Sequence, residues 1–173
     1  MPLRNDWSLI VVSKIYRASE TPIVFRDSGG DVVLTCQNLA FGAGRVSAQY
    51  DRGAGSKAKL HEVIGVFQFE TAAALKEVVE IWLFQSDGTY VDGNVGTTDA
   101  ALVSAKRDNG ILIGAVIVDT ISTATDIIGR FADVPITSRY YSIGVWNASA
   151  GDNLENTANA SRVIVTPMPD EIQ

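Results

Sequence analysis

Few residues in this chain are equipped for chemistry. Among its 173 residues, His61 is the single histidine and Cys36 the single cysteine. A Ser-His-Asp or Cys-His site would need His61 as its base. That residue lies in the run Leu60-His61-Glu62-Val63-Ile64, where a structural or surface role is expected, its ring opposed in period to Val63 and Gly65. His61-Glu62 opens a zinc-protease motif, but the fifth position is Gly65 and not a second histidine. One Cys and one His are too few for an ordinary mononuclear zinc site. One Cys also forbids an intrachain disulfide.

Other spacings fail in the same way. Gly42-Ala43-Gly44 begins a dinucleotide fingerprint, but the third glycine would fall at Ser47 and no βαβ pattern surrounds it. Gly53-Ala54-Gly55-Ser56-Lys57 lacks the spacing of a phosphate loop. Asp87, Asp92, Asn94 and Asp99 share one loop and are of the type that ligates Ca²⁺, but without the EF-hand spacing they read as turn formers. Nothing singles out a carboxylate pair for glycoside hydrolysis. Asn147-Ala148-Ser149 and Asn159-Ala160-Ser161 match the glycosylation sequon. No catalytic residue, metal or cofactor is therefore expected. Trp82 and Trp146 sit in apolar runs and are expected to be buried, whereas Trp7 follows a polar N-terminal segment, where an aromatic anchor docks well on a partner.

The surrounding elements read as strands. Val and Ile together outnumber Leu about three to one, and branching at Cβ suits a pleated surface. Short apolar runs alternate with Gly, Asp, Asn and Ser clusters. Candidate strands are Ser8 to Tyr16, Val32 to Asn38, Arg45 to Asp51, Leu60 to Glu70, Glu77 to Gln85, Ile111 to Val118, Asp126 to Val134, Tyr140 to Trp146 and Arg162 to Thr166. Val63, Phe67 and Phe69 share one face with Gly65, which suggests a bulge or a close backbone approach. Residues 71–76 have helical propensity but are assigned to a turn before the β-branched run. Thr97 or Thr98 is placed to N-cap a short helix over Asp99 to Lys106. Ile111 to Val118 is apolar on both faces and reads as a central, doubly covered strand. Pro167 and Pro169 should release the tail from the sheet.

These elements predict an all-β fold: an antiparallel two-sheet sandwich of jelly-roll type with one or two short helices. A Greek-key barrel is the alternative. One domain over residues 1–173 is expected, with an N-terminal arm, Met1 to Trp7, and a C-terminal tail, Met168 to Gln173. The net charge of −6 gives no basic footprint for nucleic acid. The longest apolar run, Ile111 to Val118, falls far short of the roughly 20 residues of a membrane-spanning helix. No nucleic-acid or membrane partner is expected.

Three stretches carry a resemblance: Val79 to Thr89 with Gly96 to Leu102, Leu112 to Val118, and Arg139 to Ala148, followed by the ending Thr166-Pro167-Met168-Pro169-Asp170-Glu171-Ile172-Gln173. In this order they resemble a family of small virion structural proteins of tailed bacteriophages, of the head decoration or cement type. The similarity spans roughly residues 60 to 173, and the Thr-Pro-x-Pro-Asp-Glu-Ile-Gln ending is its most specific part. The resemblance implies a non-enzymatic protein on the capsid exterior, assembled in the bacterial host cytoplasm. Its implied partner is the major capsid protein, bound as a homo-oligomer around a symmetry axis, with a trimer favoured. Candidate contact residues are Leu3, Arg4 and Trp7 in the arm, Tyr90 in the loop Ser86 to Gly110, and Met168 and Ile172 in the tail. The alternative is a tail or surface-exposed virion module that binds host glycans through Tyr90 and Tyr50.

Overall fold

The structure is a computed structural model and describes residues 15–17, 20–54 and 58–172. Its strands are β1 (Ile15–Arg17), β2 (Ile23–Arg26), β3 (Val32–Val33), β4 (Gly44–Val46), β5 (Tyr50–Asp51), β6 (Leu60–Phe67) and β7 (Val78–Ser86). They continue with β8 (Ala100–Leu102), β9 (Ile111–Ile117), β10 (Ile127–Pro135), β11 (Tyr140–Asn147), β12 (Arg162–Pro167) and β13 (Asp170–Ile172). A 3₁₀ turn, Asp92–Asn94, and one short helix, α1 (Ser104–Arg107), lie between β7 and β9. None of the described helices is long and apolar enough to cross a membrane.

Two sheets pack face to face. One has the order β10-β6-β12-β2-β3; the other runs β8-β4-β11-β7-β9, with β5 also paired to β11. All pairings are antiparallel except β2 with β3. Strands β6, β7, β10, β11 and β12 alternate between the sheets, so each crossing places consecutive apolar faces on opposite sides of one core. That core contains Phe25, Val63, Phe67 and Val163 from one sheet and Ile81, Leu83, Tyr141, Ile143 and Val145 from the other. The protein is thus an all-β two-sheet sandwich.

Several local expectations need correction. β9 is an edge strand, not a central one. Asp99 to Leu102 does not begin a helix: residues 100–102 are β8, and α1 starts only at Ser104, after Val103, whose side chain makes no capping bond. His61 does not oppose Val63, because positions 61, 63 and 65 share the period of two and hence one face; His61 is buried there. β2 lies in Ile23–Arg26, where no strand was expected; four residues beside Pro22 give too short an alternation to read. Strand β12 runs through Pro167, paired with His61. The tail leaves the large sheet but extends again as β13, paired with β1 in a separate two-stranded ribbon. Ser8 to Lys14 of the first predicted strand and the arm Met1 to Trp7 lie outside the described residues.

Candidate interaction surface

β9 and β10 are the facing edges of the two sheets, and both are irregular. Against β7, β9 pairs Gly114 with Ile81 and Leu112 with Trp82, leaving Ile113 as the extra residue. Against β6, β10 shifts register between Phe131 and Val134, and Asp133 takes a φ of 58°. Where the strands are regular the edges close, with Phe131 against Gly114 and Val116 against Gly129. Where both bulge the edges part, leaving about 440 Å³ of space open to solvent, lined by Leu83, Ile111, Leu112 and Ile113 on one side and by Ala132, Asp133, Val134 and Pro135 on the other. Ile111 pairs with the fully buried Leu83. Even so, Ile111 is 45% exposed and Leu112 49%. Beyond the closed stretch Ile117 and Ile128 are also exposed, Ile128 by 61%. These exposed apolar side chains are grouped along the two facing edges, not scattered singly over the surface.

The loop 86–110 covers the outer face of the second sheet. Phe84, Val46, Val95 and Leu102 form a second buried cluster there, flanked by Trp82 and Trp146. The two tryptophans are therefore half-buried on the outer face and not in the main core. Between them sits Arg107, its guanidinium carbon 4.5 Å from the Trp146 ring centroid and 5.5 Å from that of Trp82. Arg107 also lies 3.6 Å from Glu80, which accepts a 3.0 Å hydrogen bond from Trp82 Nε1. The loop carboxylates each serve a local purpose. Asp87 accepts from the amides of Thr89 and Tyr90, which hold its carboxyl below the usual range. Asp92 accepts from the Gln85 amide, and Asp99 binds Arg45 and both the amide and hydroxyl of Thr35. Among the described residues no group of three or more His, Cys, Asp or Glu is placed to hold a metal.

A second cleft is lined by Glu20, Ile23, Tyr50, Arg52, Ala58, His61 and Pro167. Arg52 spends its guanidinium on the carbonyls of Ile136, Ser138 and Ala58. Burial, reinforced by the Arg52 charge, pushes the His61 imidazole down to about 4, partly offset by backbone hydrogen bonding at Val134 and Lys59. Burial likewise raises the Tyr141 hydroxyl, with Tyr50 adding to the shift. Tyr50 packs edge-on to Tyr141 at 5.5 Å and pairs with it in the sheet, so it is a partly buried wall residue and not a free loop aromatic.

The expected contact residues are scattered. Leu3, Arg4 and Trp7 lie outside the described residues. Tyr90 is 78% exposed at the tip of its loop. Met168 donates its amide to the Leu60 carbonyl at 2.9 Å, and Ile172 pairs with Ile15 in the ribbon, so neither begins a free tail. The sequon residue Asn147 is fully buried and donates to Leu39 and Asp152 carbonyls, while Ser149 binds Asp152; both are structural. The sequence reading missed Ile111, Leu112 and Ile128. Their signal was present, because a strand apolar on both faces is also what an edge awaiting a partner looks like. Compared with known family models and with curated proteins, the chain matches none.

Proposed function

We propose that the protein is a non-enzymatic structural component of a tailed-phage virion, a head decoration protein that binds and stabilises the major capsid lattice. The observation that supports this most is the row of uncovered apolar residues along β9 and β10, Ile111, Leu112, Ile117 and Ile128, on an otherwise acidic body. A decoration protein needs a stable scaffold with a surface for neighbours, and repeated copies gain avidity without strong single contacts. Net negative charge keeps a densely studded particle soluble through mutual repulsion. The Thr-Pro-x-Pro-Asp-Glu-Ile-Gln ending supports the same reading by resemblance.

Purified protein added to preformed, undecorated heads should bind to saturation at a fixed ratio to the capsid protein. Absence of binding, with density for the protein in the tail of a virion map, would reject the head assignment. The exposed Tyr90 favours a second reading, a surface module that binds host glycans. Decoration alone predicts an empty glycan array.

A further inference from the structure

We propose that the cleft where β2, β6 and β12 of one sheet meet β5 of the other binds a small organic acid, a monocarboxylate with a short apolar chain. Such binding is independent of the phage assignment.

The cleft suits a negative group. Arg52 lines it, and among the described residues no carboxylate forms an ion pair with that guanidinium. Three hydrogen bonds run from Arg52 to the carbonyls of Ile136, Ser138 and Ala58; they fix the group in place and leave its charge uncompensated. A guanidinium has more N–H donors than those three bonds use, so donors remain for a ligand. Taking a cation partly out of water without a counter-ion is costly, and burial pulls the Arg52 ionisation below its usual range. A carboxylate offsets that cost and matches the planar fork of donors.

Two buried polar atoms at the same place have no hydrogen-bond partner. Tyr141 is fully buried with its hydroxyl unpaired, and His61 is 1% exposed with Nδ1 unpaired. Tyr141 stands behind the lining residues, its ring centroid 5.5 Å from that of Tyr50 and 6.4 Å from that of His61. Its hydroxyl, raised chiefly by burial, also feels Tyr50 and Arg52. Buried polar groups normally find partners, and both of these can donate to an anion: the hydroxyl directly, Nδ1 in the tautomer that carries its proton there. The remaining wall sets the size and charge of the ligand. Ile23, Ala58 and Pro167 are apolar, and the space is about 360 Å³, open to solvent and at the small end of ligand sites. Glu20 is the one acidic residue of the lining, and it is exposed. It tolerates a single negative charge beside Arg52 and disfavours a dianion such as phosphate.

The test uses the full chain at neutral pH and reads the ring resonances of His61, the single histidine. Butyrate should shift them saturably, with a dissociation constant of roughly millimolar order. Butyramide, its neutral isostere, and inorganic phosphate should leave them in place. Tyr141→Phe removes a hydroxyl that has no partner in the fold, so its urea midpoint should match or exceed that of wild type. Its affinity for butyrate should nevertheless fall about tenfold, because a donor to the carboxylate is gone. A purely structural Tyr141 would leave butyrate binding unmoved. No saturable shift with butyrate, binding of butyramide or phosphate as tight as that of butyrate, or wild-type affinity in Tyr141→Phe would each overturn the proposal.

Discussion

Gly65 and Ile81 meet across the sandwich, with Ile81 Cδ1 2.5 Å from where a β-carbon on Gly65 would stand. Phe67 and Val116 are 2.8 and 3.0 Å from the same point. The sheets come together here because this position has no side chain, the close approach that a glycine in an apolar strand suggested. Gly65→Ala must displace three packed groups at once. Overpacking of this kind costs about 1–3 kcal/mol. A urea titration should show a lower midpoint with an unchanged slope. A midpoint equal to wild type would mean that the sheets are further apart than described.

The His61 imidazole titrates near 6.5 when free and near 4 in the fold. Between those values the unfolded chain holds more protons than the folded protein. Stability is therefore complete above about pH 6.5 and falls as pH drops towards 4. A shift of this size amounts to about 3 kcal/mol at its limit. Carboxylates titrate in the lower part of this window, so the useful quantity is a difference. The urea midpoint of wild type should fall more between pH 7.5 and pH 4.5 than that of His61→Gln. Parallel falls would remove His61 from the account. As the only histidine, its ring resonances also report the titration directly.

The covering of the second sheet depends on Arg107. A helix of four residues has no stability of its own, so α1 stays in place through what it touches. Arg107 reaches between Trp82 and Trp146 and towards Glu80. Arg107→Ala should cost about 1 kcal/mol in lost stacking and stem packing. Hydrogen exchange at residues 104–110 should quicken about fivefold, while β6 and β12 keep their protection. Arg107→Lys should recover only part of the effect, because it restores charge without the planar face. Uniform loss of protection across both sheets would show that the loop and the core unfold as one unit.

What could be read in advance, and what could not, follows from the range of each interaction. The face Tyr141, Ile143 and Val145 is visible because its period of two lies within five residues. The turn at 71–76 was separable from the strand after it because β-branched residues begin at Val78. β7 is apolar on both faces for a reason with no local signature: Leu83 faces the main core, while Phe84 faces a second cluster built from residues of the loop 86–110. The same two-faced pattern in β9 has the opposite meaning, an edge, and only the pairing of distant strands tells them apart. Asp99 looked like a helix start because its partners Thr35 and Arg45 are 64 and 54 residues away.

Those Asp99 contacts lead to a prediction about Cys36. The thiol is fully buried, and burial, with Asp27 and Asp99 adding to it, pushes its ionisation well above the usual range. Only the thiolate reacts, so modification requires the segment to open. Asp99 ties that segment down through the Thr35 amide at 3.0 Å and the Thr35 hydroxyl at 2.7 Å, immediately before Cys36. Hydrogen bonds to a charged group are worth about 1.5–3 kcal/mol. Asp99→Ala should therefore speed thiol labelling at pH 8 by roughly tenfold or more; it also removes a charge that opposes thiolate formation, which works in the same direction. Asp27→Asn separates the two effects, since it lowers the negative charge near the thiol, leaves both Thr35 bonds intact and keeps an amide oxygen to accept from the Gln37 N–H at 3.0 Å. Equal acceleration in the two variants would assign the protection to electrostatics; acceleration confined to Asp99→Ala would assign it to the tether.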